Sequence, residues 1–478
     1  MAKTNTREIA LSAITEIMEN GAYSHLLMKQ VLDKYAYLPK QERSFIKRLT
    51  DGCVERAIEL DFVIDCYSKT KVNKMKPFIR NLMRMSVYQI LYMDSVPDSA
   101  ACNEAVKLAV AHKFSGLKGF VNGVLRTVAR QKNEIPYPEI PGGNVCEDVK
   151  KREAAVKALS IHYSMPEWIV TRFLGAYGFA KTEEMLNSFL CPRALSIRLD
   201  ESLPEEKRED ILTALKERCE VKAADEKLAY AYYLRHVDRP EELPGYEDGV
   251  FYLQDIGAME IVETAHCEAL FDAKKAQGSG IFTVIDVCGA PGGKALHVAD
   301  KLKAKKSAED EIFIRLRDKS DAKIALIEDN LDRFRAKYDP EKIRIEAEVV
   351  DATSLSEDDI ETADLVIADL PCSGLGVIGR KADVKYHTTN EDVAFLAALQ
   401  RKILSTVWRY VAPNGHLLYS TCTLTKEENE ENAAWFSEQF PFEKVEEHVL
   451  FPRGDETDGF YAVLFRKKDE DDKVGADL

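Results

Sequence analysis

The chain has 478 residues, with 66 Lys and Arg against 81 Asp and Glu, a formal net charge of -15, and 45% hydrophobic residues. One core stops growing near about 250–300 residues, so two or three domains are expected, and the apolar content excludes a long disordered chain apart from the last dozen residues. No apolar run approaches the ~18 residues of a membrane span and the N-terminus has no signal-peptide pattern, so a cytoplasmic protein without a membrane partner is expected. The ten cysteines show no C-x-x-C pair and no histidine at metal spacing, which predicts reduced thiols, most of them small core residues, and no metal site.

Residues 1–131 predict an all-helical domain, because apolar side chains recur at three- and four-residue spacing: Ile9, Ala13, Ile14 and Ile17, then Phe45, Leu49, Cys53 and Val54. Pro77 and Pro97 fall between such runs. Lys69, Lys71, Lys74, Lys76, Arg80 and Arg84 form a stretch with no acid among them, a candidate phosphate-contacting face on an acidic chain, with a solvated helix surface as the plainer alternative. Acids gather instead between Lys426 and Glu431 and in the tail.

Residues 132–150, rich in Pro and Gly, read as a linker. Residues 151–260 mix expected helices (166–176, 205–220) with short strands (195–199, 250–253), which suggests a small α+β piece. Over 261–468 apolar runs (281–287, 312–316, 343–350, 365–368, 416–419) alternate with helical stretches (323–337, 391–411). That alternation implies a parallel sheet covered on both faces, an α/β domain. The run 460–465 is expected as an antiparallel edge strand, and 469–478 as an acidic tail.

The first of these strands ends in Asp286-Val-Cys-Gly-Ala-Pro-Gly-Gly-Lys294 and runs into a helix at 295–302. Glycines at such a turn let a ligand approach the backbone, and the helix N-terminus offers free N–H groups. Neither G-x-G-x-x-G nor a P-loop pattern is present, so a dinucleotide or a nucleoside triphosphate is not the first choice. Asp318 and Asp351 close the next two strands; Asp318 lies 25 residues after Gly293, near the ~20-residue offset of a ribose-binding acid. Two hydroxyls and an adenine amine would suit the pair. Each acid alone could equally cap a helix, and Asp321 competes with Asp318.

The fourth strand ends in Asp369-Leu-Pro-Cys-Ser-Gly374 and the fifth in Tyr419-Ser-Thr-Cys-Thr-Leu424, which sends two thiols out of the sheet edge that carries the glycine loop. A lone cysteine there is more often buried and inert; two at adjacent strand ends beside a ligand loop point to chemistry. Cytosine C5 is a poor nucleophile toward a sulfonium methyl until a thiolate adds to C6, and that covalent step divides one hard displacement into two easier ones. A second group must then remove the C5 proton, and a carboxylate such as Asp369 on the ring amine or N3 would stabilise the adduct.

These motifs, with Gln254-Asp255, Asp458-Gly-Phe460, Tyr163-Ser-Met-Pro-Glu-Trp168 and Ser196-Ile-Arg198, resemble bacterial 16S ribosomal RNA cytosine-5 methyltransferases of the RsmB (Fmu) type. Met93-Asp-Ser-Val-Pro97, Asn103-Glu-Ala105 and Phe120-Val-Asn-Gly-Val-Leu-Arg126 are similar to the NusB-type RNA-binding domain at the front of that family. The resemblance implies a Rossmann-like S-adenosylmethionine methyltransferase domain, preceded by an all-helical NusB-like domain and a small α+β RNA-recognition segment. It implies 16S ribosomal RNA as partner; a monomer is expected. It makes Cys422 the nucleophile and Cys372 the residue that assists release, with Asp369 and Lys294 positioning the base. Cys288, Gly289, Ala290, Pro291, Gly292, Gly293, Lys294, Asp318, Asp351 and Asp369 would line the cofactor site. The chain departs from the pattern at Ala382, where proline is expected, and at Arg317, where a small residue often precedes the acid. A non-catalytic ribosome-assembly factor, a cytosine-5 methyltransferase acting on tRNA, and a nitrogen or oxygen methyltransferase are the competing readings; the last has no need of two thiols.

Overall fold

The computed structural model describes residues 5–142, 148–278, 280–305, 310–334 and 337–468. The expected acidic tail, and Cys146 within the expected linker, lie outside the described residues. The chain divides into two compact units, residues 1–190 with 378–389, and residues 191–377 with 390–478. Among the described residues no helix is long and apolar enough to cross a membrane.

The first unit is helical, as the periodicity predicts. Its first helix, Thr6–Asn20, starts where the Asn5 side chain accepts hydrogen bonds from Arg7 N and Glu8 N and stops at Gly21, whose φ of 73° only glycine adopts readily. Pro77 opens the helix Pro77–Tyr92 at a position where its missing N–H has no partner to lose. Ile14, Leu49, Leu60, Ile64, Leu82, Met83 and Leu125 are all fully buried, giving this unit its own core.

The basic stretch divides. Lys69, Lys71, Lys74 and Lys76 are exposed, but Arg80 pairs with Glu19, and buried Arg84 makes two 2.6 Å hydrogen bonds to Asp61. Arg80 and Arg84 therefore neutralise acids inside the unit and drop out as phosphate contacts. Residues 378–389, although they lie between two elements of the sheet domain in sequence, also belong here. Asp383, 1% exposed, accepts from Ser24 N at 3.0 Å and Ser24 Oγ at 2.5 Å, and Lys385 Nζ donates to Glu55 O at 2.7 Å.

The expected α+β piece over 151–260 is divided between the units. Its helices Val149–His162 and Glu167–Phe189, the latter bent at Gly178, belong to the first. Its strands β1 (Leu195–Leu199), β2 (Glu220–Ala223), β3 (Ala231–Arg235) and β4 (Phe251–Leu253) form an antiparallel sheet of order β2-β3-β1-β4 in the second. The expected helix 205–220 ends at Lys216 because Glu220 already pairs with Arg235 in that sheet.

The main sheet holds β5 (Phe282–Asp286), β6 (Ile312–Asp318), β7 (Ile343–Val349), β8 (Ala363–Asp369), β9 (Val411–Thr421), β10 (Phe442–Leu450) and β11 (Phe460–Lys467) in the order β10-β11-β9-β8-β5-β6-β7. Strands β9, β8, β5, β6 and β7 are parallel; the apolar runs of β5 and β8 and of the end of β9 follow from burial on both faces, whereas β7 (IRIEAEV), at the sheet edge, alternates apolar with charged residues. Strand β11 is antiparallel as expected but is not the edge, since β10 pairs along its outer side. Strand β10 (FEKVEEHVL) escaped the sequence reading because it has no apolar run; its charges suit an exposed edge. The chain runs β5, β6, β7 in one direction and returns to β8 on the other side of β5, so the crevice of this Rossmann-like sheet opens at the carboxyl ends of β5 and β8.

Candidate active site

Strand β5 delivers Asp286 to this crevice, and the loop that follows is pinned on three sides. Gly289 N donates to Arg317 O at 2.8 Å at the end of β6, while Pro291 O accepts from Asn330 Nδ2 at 2.8 Å and the Tyr252 hydroxyl at 3.4 Å. The Ala290–Pro291 bond is cis. A Cβ on Gly289 would stand 3.0 Å from both Asp286 Cγ and Leu316 Cδ2, and Gly292 has φ +105°, so both positions need glycine.

The helix Gly293–Lys305 carries Lys294 in its first turn, with Nζ 2.5 Å from Asp369 Oδ2; Ser420 Oγ donates to Asp369 Oδ1 at 2.8 Å. Burial alone would lower the Lys294 pKa, but Asp369 outweighs it and the net shift is upward, so the lysine is held protonated. Asp286, 1% exposed, is pushed up to about 7, first by burial and then by the Asp369 charge, against the pull of Lys294. Its Oδ1 has no hydrogen-bond partner among the described residues.

Asp318, 2% exposed, accepts from Lys319 N at 2.8 Å and Lys323 Nζ at 3.0 Å. Strand alternation turns its neighbour Arg317 away, into an internal cluster with Asp359 Oδ2 at 2.7 Å and Glu348 Oε2 at 2.9 Å. That cluster accommodates the unusual arginine before the acid. Asp351 is exposed beyond β7 and turns back to Thr353 N and Oγ1, both at 2.8 Å; the backbone hydrogen bond from Thr353 holds its carboxyl below the usual range. No hydrogen bond or ion pair among the described residues joins Asp351 to the other expected site residues. Cys288 is half-buried, and burial with the charges of Asp286 and Asp318 pushes its thiol up, which makes it a poor nucleophile.

Because β8 and β9 are adjacent and parallel, with Asp369 opposite Ser420, their exits place the two expected cysteines together. Cys372 Sγ and Cys422 Sγ are 3.2 Å apart, and Cys422 N donates to Cys372 Sγ at 3.3 Å. Cys372 is pushed well above the usual thiol range by its hydrogen bond with Cys422, then by burial, with the charge of Glu428 adding to both. Cys422 in turn adds to the upward shift of Lys294, so the lysine lies within its electrostatic reach. Gly376 packs against this pair: its N donates to Cys422 O at 3.0 Å, and a Cβ there would stand 2.7 Å from that same oxygen.

The sequence reading missed Tyr252 and Asn330, which hold the glycine loop from distant elements, and the fully buried Glu428, Asn429 and Gln400 behind the cysteines. Nothing in composition separates Glu428 from its acidic neighbours; the hydroxyl residue after each cysteine, Ser373 and Thr423, was the available signal.

Comparison with known proteins gives two family matches, the NusB family over residues 4–130 and "16S rRNA methyltransferase RsmB/F" over residues 279–466. The chain is 33% identical to the "Probable ribosomal RNA small subunit methyltransferase B" of Bacillus subtilis, over 98% of this chain and 100% of that one. It is 26% identical to the "Ribosomal RNA small subunit methyltransferase B" of Proteus mirabilis, over 97% and 99%. Among solved structures, that of PH0851 matches with a TM-score of 0.72 at 21% identity, covering 97% of this chain and 99% of that one, a likeness of fold. NSun6 from Pyrococcus horikoshii with SFG matches with a TM-score of 0.51 at 18% identity, over 64% and 99%.

Proposed function

Because the chain belongs to the RsmB/F family of 16S rRNA methyltransferases and carries a NusB-family domain in front, we propose that it methylates C5 of a cytosine in 16S ribosomal RNA, with S-adenosylmethionine as donor and a covalent bond from Cys422 to C6. The observation that carries the reading is the 3.2 Å separation of the Cys372 and Cys422 sulfurs beside the Lys294–Asp369 pair. An enzyme that methylates nitrogen or oxygen has no use for that arrangement.

The crevice fits the cofactor. The close approach at Gly289, the positive φ of Gly292, and a buried carboxylate oxygen on Asp286 with no partner among the described residues suit a ligand carrying an ammonium group, and Asp318 at the end of β6 suits a ribose. Asp351, exposed and turned to Thr353, is the weakest member of the expected set. When bound, S-adenosylmethionine supplies an electrophilic methyl group.

The chain's own residues do the rest. The Cys422 thiolate bonds to C6, and the ring electrons pass to C5, which takes the methyl group. Asp369, fixed by Lys294 and Ser420, holds the ring at its amine or N3. The first cause of the raised Cys372 pKa is its hydrogen bond with Cys422. Once Cys422 is bonded to C6 that restraint is lost, so Cys372 gives up its own proton to solvent more readily and its thiolate can take the C5 proton. Loss of that proton expels Cys422 and restores the ring double bond. The exposed lysines 69, 71, 74 and 76 of the helical unit, and a groove of about 520 Å³ lined by Lys107, Lys118, Asn122 and Arg126, are suited to phosphates.

Denaturing gels of variants incubated with 16S RNA and S-adenosylmethionine test the reading. Cys422→Ala is expected to give neither methylation nor an RNA-linked band, and Cys372→Ala an accumulating RNA-linked band. A band with Cys422→Ala alone reverses the roles, and full activity in both variants removes the covalent mechanism. Bisulfite sequencing of a deletion strain identifies the RNA; a site lost from tRNA in place of 16S RNA overturns the substrate.

A further inference from the structure

The loop between β9 and the helix Glu430–Gln439 turns inward at Glu428, whose side chain is fully buried. Its Oε1 accepts from Ser373 N at 2.8 Å and Gln400 Nε2 at 3.2 Å; its Oε2 accepts from Ser373 Oγ at 2.5 Å and Thr425 Oγ1 at 2.7 Å. All four donors are neutral, so the carboxylate is held by geometry and not by a paired cation. Its backbone is held too, since the Tyr419 hydroxyl donates to Glu428 O.

These bonds converge on the residues that flank the cysteines. Ser373 follows Cys372, and its hydroxyl meets Thr423 Oγ1, which follows Cys422, at 2.7 Å. Gln400 Nε2 also reaches Pro371 O, just before Cys372, at 3.0 Å. The next residue, Asn429, takes a 2.6 Å hydrogen bond from Thr421 Oγ1 and gives one of 3.0 Å to Thr423 O, bracketing Cys422. An acid needed only for solubility would not be desolvated beneath a reactive pair.

We infer that Glu428 is a positioning residue, a clamp joining the two cysteine loops so that their sulfurs stand side by side. The inference rests on the reading that these cysteines carry the methyl transfer. Holding reacting groups in register is worth a large rate factor, and a small displacement forfeits it. Glu428 acts through Ser373, Thr423 and Gln400, which relay its position to both loops.

The test is disulfide trapping in the full chain with diamide. Two thiols lose two protons and two electrons, the azo bond of diamide is reduced to a hydrazine, and Cys372 and Cys422 become joined, which peptide mass spectrometry reads without any RNA. Glu428→Ala is expected to slow trapping by at least about tenfold, with single-turnover methyl transfer falling in parallel and KM for RNA unchanged. Glu428→Gln keeps the volume and an acceptor for Ser373 N, and is expected to stay within a few-fold of the unaltered chain, by about threefold or less. Should Glu428→Ala not fold, Ser373→Ala, which removes the hydroxyl bridge alone, is expected to slow trapping severalfold. Trapping at the unaltered rate in a folded Glu428→Ala, or in Ser373→Ala, overturns the clamp. Slowed trapping in a protein whose parent forms no RNA adduct leaves the clamp standing and removes the cytosine chemistry.

Discussion

Two buried carboxylates sit at the same edge of the main sheet and are treated differently by the chain. Glu428, beyond β9, receives four hydrogen bonds from its own fold; Asp286, at the end of β5, leaves Oδ1 with no partner among the described residues. An unmet buried polar atom costs about 1–3 kcal/mol, more when charged, and Asp286 moderates that cost by shifting up to about 7 so that it can hold a proton. The cysteine side is thus completed by folding, while the glycine-loop side keeps polar capacity that a ligand can use. A finished surface suits chemistry that depends on fixed geometry; an unfinished one suits a molecule that enters and leaves.

The contrast implies that damage to the finished side reads out in rate and damage to the other in cofactor affinity. The largest effect is expected from Asp369→Asn, which breaks the pair with Lys294: single-turnover methyl transfer should fall on the order of 10²–10³-fold while S-adenosylmethionine affinity, measured by calorimetry, falls far less. Equal losses in both would erase the distinction. Next, Gly292→Val forces a branched residue into φ +105°, where strain of about 1–3 kcal/mol is expected, and should weaken cofactor binding by about ten- to a hundredfold with the sulfurs still able to be trapped as a disulfide.

A smaller effect concerns Asp286 and pH. Its folded value of about 7 lies above the ordinary aspartate value near 4, so between those limits the folded state holds a proton that the unfolded chain has lost. Its contribution to stability is therefore undiminished below about pH 4, falls as pH rises through about 4 to 7, and stays lost above that. Asp286→Asn should flatten the stability curve over that window by up to about 1.4 kcal/mol per pH unit, read from denaturant midpoints. An unchanged slope would place the proton elsewhere. The smallest effect on the methyl-transfer step is expected from reversing Lys69, Lys71, Lys74 and Lys76 to Glu, which acts on RNA affinity alone. The slope of log affinity for RNA against log salt should drop by up to about 3 units with both thiols unaffected, because each phosphate left without its lysine takes away about 0.7.

The parallel strands and the three loops at their ends were legible because each depends on adjacent residues: apolar runs, glycine turns, and a cysteine within three positions of a strand's end. Glu428 was not, since its burial is decided by Ser373 and Gln400, which are distant in sequence. Arg80 and Arg84 read as a phosphate face for the same reason, their partners Glu19 and Asp61 lying on other helices. Strand β10 fails the apolar-run test because its stability comes from the ladder it forms with β11. Local pattern finds what a residue is; only the fold shows what it faces.

Residues 378–389 give the protein an unusual topology for dissection. The two units are joined by three stretches of chain, after 190, after 377 and after 389, where an ordinary two-domain protein has one hinge. A protease nick after 190 would leave two fragments that still share a folded unit, because the second fragment carries the inserted segment that completes the first. A gene truncated there would yield a methyltransferase half carrying Asp383 without its Ser24 donors and Lys385 without its Glu55 acceptor. The helical unit is therefore not a detachable accessory, and its loss would leave Asp383 and Lys385 without these partners on the half that remains.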